Sequence, residues 1–302
     1  MDALPSMRQL RYFVALAEEN HFGHAAERCF VTQSTLSAGI RELEAVLRKP
    51  LFERTKRHVA ILPLGREMMV HAKKILRTAE DMTALAEVGS APLSGLLRLG
   101  AIPTIGPFYL PSVLPAVRAS YPSLTLYVCE EQTSNLLEQL RAGELDCALI
   151  ALPWETDGLE TLEIMRDPLW LAVPTNHPLA KRSHVQAEET VGTELLFLEG
   201  GNCLRDHAIA LCARGKPGQY QAASIFTLAE LVANGLGVSI FPELATRSGI
   251  MPLNDIVLIP FHDRQAYRRI ALVWREDAVR RNECRLLGHF IKNTSQQSDV
   301  AN

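Results

Sequence analysis

Residues 31–47, VTQSTLSAGIRELEAVL, decide how the N-terminal part of this chain folds. Leu36, Ile40, Leu43 and Leu47 recur at spacings of four, three and four, so one face of a helix over about residues 34–47 is apolar. Gln33, Ser34, Ser37 and Arg41 fall on the other face, and Thr32 or Ser34 can cap the start. Upstream, a short helix is expected over about residues 24–30, joined by a tight connection at 31–33. Before it, Leu10, Phe13, Val14 and Ala17 mark a helix over residues 7–19. Two short helices around a three-residue turn, the second opening with small polar residues, make a helix-turn-helix. Gln33, Ser34, Thr35 and Ser37 are then candidates for base edges or phosphates, and Arg41 for a phosphate. A plain three-helix bundle with a solvated polar face fits the same pattern.

Downstream, Leu51-Phe52 and residues 59–62 read as two short strands around a basic turn. Arg54, Lys56 and Arg57 stand at its tip, where a wing beside a helix-turn-helix would meet the backbone of double-stranded DNA. Residues 64–89 continue as a long helix. Met68, Ala72, Ile75, Ala79, Met82 and Ala86 form a heptad seam of the kind that pairs with a second copy of the helix, although a core helix is the competing reading. Residues 89–92 end it in a hinge. The expected units are a winged helix-turn-helix (1–66), a dimerisation helix and hinge (67–92) and an effector domain (93–302).

The whole chain has 302 residues, 47% apolar content and a net charge of −3, so nothing global points to nucleic acid. Residues 1–66 nevertheless hold ten Lys and Arg against seven Asp and Glu, a local +3. No apolar run approaches the ~18 residues of a membrane span, and no signal peptide is evident, so a cytoplasmic protein is expected. Six cysteines are too few for a disulfide framework, and in a reducing compartment a pair is more often sensing, catalytic or metal-bound.

From residue 93 the pattern changes. Strands are expected at 96–101, 124–129, 146–152, 169–173, 195–198, 238–241 and 269–273. Helices are expected at 108–119, 134–142, 203–213, 227–234 and 279–291. This alternation predicts an α/β domain with a parallel sheet.

Residues 200–212, GGNCLRDHAIALC, stand out within it. Asn202 is placed to cap a helix that begins at Cys203, with Arg205 close in sequence. The helix dipole and the arginine should both favour a Cys203 thiolate. Nine helical residues to Cys212 span roughly 13 Å, whereas a disulfide needs Cα atoms within about 7 Å. The two sulfurs can bond only if the helix unwinds, which is a redox switch in outline. Two unrelated cysteines, one capping a helix and one packed as a small hydrophobe, are the competing reading. A metal pair of Cys203 with His207 has no further ligands nearby, so no metal or cofactor is expected.

Ala25-Ala26, Val31 to Ser37, Ile40 to Glu44 and Leu51 to Arg54 together resemble the N-terminal signature of LysR-type transcriptional regulators. Pro63 departs from that pattern. The resemblance extends along the chain to the peroxide-sensing OxyR branch. It rests there on Gly201 to His207 with Cys212, Ile102 to Pro107, Glu130 to Thr133 and Leu145 to Cys147. It implies an effector domain of two subdomains, like a periplasmic binding protein. We place the crossovers near residues 166 and 266, giving subdomain I at about 93–166 and 266–302 and subdomain II at about 167–265. It implies Cys203 as peroxidatic and Cys212 as resolving thiol, joined on oxidation in a reversible disulfide. Thr104, Thr133, Asp206 and Arg268 would form the peroxide pocket. Relatives carry histidine where this chain has Asn202, so no proton-transfer role is carried over. The implied partners are promoter DNA, hydrogen peroxide, a second copy through the linker helix, a tetramer and RNA polymerase. A LysR-type regulator of a small organic effector, its cysteines idle, and a thiol peroxidase remain as competing readings.

Overall fold

A computed structural model describes residues 4–54, 59–87, 93–212, 216–263 and 265–300. The chain divides into two compact units, residues 1–90 with 142–144 and residues 91–141 with 145–302.

In the first unit, α1 (Met7–Glu19) opens with a capping box in which Ser6 and Gln9 satisfy each other's backbone N–H groups. α2 (Phe22–Arg28) starts two residues before the expected position, because the His21 ring nitrogen Nδ1 accepts from the N–H groups of Gly23 and His24. It also ends earlier: Phe30, expected to be helical, has a φ of 57° in the turn. α3 (Gln33–Leu47) is capped by Thr32, whose hydroxyl accepts from the Thr35 N–H at 3.2 Å. Leu36, Ile40 and Leu43 enter a core with Leu10, Phe13, Leu16 and Phe52. β1 (Phe52–Arg54) pairs antiparallel with β2 (Val59–Ile61). Lys56 and Arg57, expected at the wing tip, lie outside the described residues, as does the expected hinge at 89–92.

α4 (Pro63–Glu87) divides its heptad seam between two environments. Ala72 is buried and Met68 half-buried against the helix-turn-helix core. Ile75 and Met82 are 45% and 68% exposed.

The second unit is built on β3 (Gly95–Ala101), α5 (Gly106–Ser120), β4 (Leu124–Glu130), α6 (Thr133–Ala142), β5 (Cys147–Leu152) and the long β6 (Leu159–Pro174). Then follow β7 (Glu194–Leu198), α7 (Cys203–Leu211), β8 (Lys216–Ala222), α8 (Ile225–Ala233), β9 (Ser239–Pro242), α9 (Glu243–Arg247), β10 (Ile256–Pro260), β11 (Tyr267–Arg275) and α10 (Arg281–Val300). The expected parallel sheet is corrected to a mixed one. The seven-stranded sheet runs β10-β6-β11-β5-β3-β4, with β9 also on β6, and only β3–β4 and β3–β5 pair in parallel. β6, β9, β10 and β11 return against their neighbours and pair antiparallel. Helix–strand alternation predicts parallel pairing only where a helix lies between neighbouring strands.

β6 is the pivot. Residues 159–168 pair with β11, and residues 169–174 pair with β9 and β10. Two cores result. One gathers β3, β5, α6 and α10 around Leu97, Leu136, Leu149 and Leu287. The other gathers β7, α8 and β9 around Leu196, Leu228 and Phe241.

Candidate functional site

Cys203 is the first residue of α7, 3% exposed, and packs in the first of those cores. Leu204, Ala208 and Cys212 of the same segment pack in the second. Gly201 allows the chain to turn between β7 and α7. Its φ is 89°, and a Cβ there would collide with the Gln132 side chain. Asn202 occupies the cap position but makes no side-chain cap bond; its amide donates instead to the Glu199 carbonyl at 3.2 Å.

The charge facing Cys203 comes from Arg268, not from Arg205 as its nearness in sequence suggests. Arg205 donates to the Leu198 carbonyl at 3.0 Å and lies over the Phe197 ring. Arg268, fully buried on β11, is held on three sides. Its Nε donates to Asp167 Oδ2 at 2.9 Å, and its two terminal nitrogens donate to the hydroxyl and the carbonyl of Thr104, each at 2.7 Å. Asp167 faces Arg268 across the β6–β11 ladder, and its other oxygen accepts from the Leu244 N–H at 2.9 Å. A buried ion pair is stable only when such additional hydrogen bonds complete both partners.

The expected thiolate is opposed by burial. Burial pushes the Cys203 thiol above its ordinary value. The Arg268 charge, the Thr133 hydroxyl and the Leu204 N–H pull it down only in part, and Asp206 pushes it up further. Desolvation outweighs the cation because it acts on the whole charge of a thiolate. Burial also raises Cys212, against a hydrogen bond from Thr190.

Thr133 opens α6 and is 1% exposed. Its hydroxyl lies near enough to the Cys203 sulfur to favour the thiolate, yet it makes no full hydrogen bond among the described residues. A buried hydroxyl left this way is uncommon and marks a place where a small polar molecule can complete it. The structure thus brings Cys203, Thr104, Thr133 and Arg268 together. Asp206 lies on the exposed side of α7, and its charge still reaches Cys203.

His207 serves as a structural tie rather than a metal partner of Cys203. Its Nδ1 lies 2.7 Å from the Cys203 carbonyl oxygen and its Nε2 3.0 Å from that of Leu152, so it links α7 to the end of β5. No three His, Cys, Asp or Glu side chains form a metal cluster among the described residues. The tie through His207 and the roles of Asp167 and Thr190 are not legible in the sequence, because their partners are distant or follow no local period.

In the first unit, Gln33, Ser34, Thr35 and Arg41 are exposed at and beyond the start of α3, and Ser37 is half-buried. The Ser34 and Thr35 hydroxyls are both tied to that of Thr32, at 2.9 and 2.8 Å. Glu44, equally silent in the sequence, fixes the wing by accepting from the N–H groups of Leu51 and Phe52. Arg54 ends β1.

Residues 7–66 match the family described as "Bacterial regulatory helix-turn-helix protein, lysR family", and residues 90–296 match "LysR substrate binding domain". The chain is 37% identical to the HTH-type transcriptional regulator EstR of Acinetobacter baylyi, over 97% of this chain and 98% of that protein. It is 36% identical to the DNA-binding transcriptional dual regulator OxyR of Escherichia coli, over 96% and 99%. A solved full-length OxyR of Pseudomonas aeruginosa, in a cysteine-to-aspartate variant, superimposes with a TM-score of 0.78 at 34% identity, covering 96% of this chain and 95% of that one. A cysteine-to-serine mutant of Corynebacterium glutamicum OxyR, H2O2-bound, gives 0.65 at 33%, covering 99% and 97%.

Proposed function

The chain belongs to the LysR family of bacterial transcription regulators, and from that premise we propose that it is a DNA-binding regulator sensing hydrogen peroxide through Cys203. The observation that carries this reading is a buried Thr133 hydroxyl that makes no full hydrogen bond among the described residues, beside a buried cysteine and a clamped arginine. Peroxide is small and uncharged, so hydrogen bonds must select it. Thr133 can donate or accept. Thr104 accepts from Arg268, which leaves its own O–H to donate.

The chemistry follows from these positions. Cys203, once deprotonated, attacks one peroxide oxygen. The O–O bond breaks, the departing hydroxide takes a proton and leaves as water, and Cys203 becomes a sulfenic acid. Arg268 stabilises the thiolate and the negative charge that builds on the leaving oxygen. Cys212 then attacks the Cys203 sulfur, an S–S bond forms and a second water leaves. Cys212 lies at the far end of α7, in the other core, so this step requires the helix to unwind. Oxidation therefore selects a second packing of the segment. Cellular thiols reverse the disulfide.

Gln33, Ser34, Thr35, Ser37 and Arg41 would read and hold promoter DNA, with Arg54, Lys56 and Arg57 on its backbone. The exposed Ile75 and Met82 support pairing of α4 with a second copy, and a tetramer in contact with RNA polymerase is the fuller assembly. We place the protein in the cytoplasm; no helix among the described residues is long and apolar enough to cross a membrane. Its role is regulatory rather than enzymatic.

Peptide mapping after one equivalent of hydrogen peroxide tests this. A Cys203–Cys212 disulfide formed within seconds and reversed by dithiol is expected. An unmodified Cys203 would shift the reading to a small organic effector bound in the LysR substrate-binding domain.

A further inference from the structure

Cys203 and Cys212 are not the only cysteines that the fold places in a defined setting. Cys147 opens β5 and Cys284 lies in the first turns of α10, 137 residues later in the chain, and both are fully buried in the same core. Both are free thiols, and Cys284 raises the Cys147 thiol, so the two are neighbours within that core. The Cys284 sulfur also lies 3.5 Å from the Asp146 carbonyl oxygen, which fixes it over the start of β5.

A buried cation stands beside this pair. Arg280, 7% exposed, donates to the Leu96 and Ser94 carbonyls and is paired with the Glu283 carboxylate. Its charge acts on both sulfurs. The arrangement repeats the elements found at Cys203: a buried thiol and a guanidinium locked by a carboxylate. It adds what Cys203 lacks, a second thiol in the same core, with the Cys284 sulfur held against the residue that precedes Cys147, so no helix has to unwind for the two to meet.

We propose that Cys147 and Cys284 form a second, slower dithiol switch, oxidised to a disulfide by excess hydrogen peroxide. Cys284 takes the first role, because it rides on α10, whose local opening carries its sulfur out of the core. The Cys284 thiolate attacks peroxide, the O–O bond breaks, and the leaving hydroxide takes a proton to become water. The Cys147 sulfur attacks the resulting sulfenic acid, the S–S bond forms, and the S–O bond breaks to release a second water. Two electrons pass from the two sulfurs to one peroxide. The product staples α10 to β5. With both sulfurs sealed in the core, peroxide gains access only when α10 opens locally, so the reaction is roughly tenfold or more slower than at Cys203.

The test uses the full-length protein with Cys203→Ser and Cys212→Ser, so it does not depend on the primary sensor being as described. This protein is treated with excess hydrogen peroxide, denatured under alkylation and mapped by mass spectrometry. A Cys147–Cys284 cross-linked peptide that dithiol abolishes is the expected result. Cross-linked protein should also show slower amide exchange in α10 than its reduced form. Both cysteines recovered as alkylated thiols, or each oxidised singly to sulfinic acid with no cross-linked peptide, would overturn the proposal. The Cys284→Ser variant in the same background is a control in which no cross-link can form. Should it fold poorly, the exchange comparison on unsubstituted α10 carries the test alone.

Discussion

Cys203 and Cys212 stand at the two ends of one nine-residue helix but pack in two different hydrophobic cores. Each is 3% exposed, so neither sulfur can move toward the other without leaving its own core. Helical geometry separates them by roughly 13 Å. Oxidation therefore sets a covalent bond against burial of α7 in both cores. The expected outcome is loss of amide-exchange protection across residues 203–212 in the oxidised protein. In Cys212→Ser, peroxide should leave that protection in place. Unchanged protection in the oxidised, disulfide-linked protein would refute the unwinding.

Removing Arg268 tests the buried clamp. Arg268→Met leaves the Asp167 carboxylate buried without its cation, and one half of a buried ion pair left alone costs about 3–5 kcal/mol. Urea unfolding should show that loss, and Asp167→Asn in the same chain should recover a good part of it. Peroxide reactivity of Cys203 should stay low in the recovered double variant, since the charge that favours the thiolate is absent.

The pH dependence follows from the raised Cys203 thiol. Below its folded pKa, the thiolate fraction grows about tenfold per pH unit, so the peroxide rate should climb through neutral pH and beyond pH 8 without levelling. For stability the sign is the reverse. The folded state holds this proton more tightly than the unfolded one. That contribution is complete below the unfolded thiol pKa of ~8.5 and is lost as pH rises through the folded value. Stopped-flow rates from pH 6 to 9 decide the first point, since a plateau below pH 7 would mean a depressed thiol.

His207 touches two carbonyl oxygens, and a neutral imidazole has one N–H to give them. Either way it restrains the segment that must unwind. His207→Ala should speed the step from sulfenic acid to disulfide several-fold while leaving the first attack on peroxide little changed. A sulfenic-acid trap distinguishes the two steps.

Arg41 is exposed on α3, where a phosphate contact would carry affinity without sequence information. Arg41→Ala should weaken binding to specific and unrelated duplexes alike and reduce the salt slope by about one. Gln33→Ala should instead narrow the difference between the two duplexes.

The sequence by itself determined the helix-turn-helix, α4, α7 and most strands of the effector domain. Each is written in a period of 3.6 or 2 over a few residues, and α3 shows its inner face through Leu36, Ile40 and Leu43. Ends that depend on an unusual cap or turn fall elsewhere than the pattern suggests, as at His21 and Phe30. Cys203 and Cys212 are legible as a pair because helical geometry alone separates them. The resemblance implied Arg268 beside Cys203, but only the tertiary structure decided that Arg205 turns away and that Asp167 holds Arg268 across a separation of 101 residues. The antiparallel return of β6 and β11, which makes that pairing, has no local signal either. The thiol's direction was likewise beyond the sequence. Position at a helix start is a local fact, whereas desolvation depends on everything that packs around the sulfur, and here packing outweighs position.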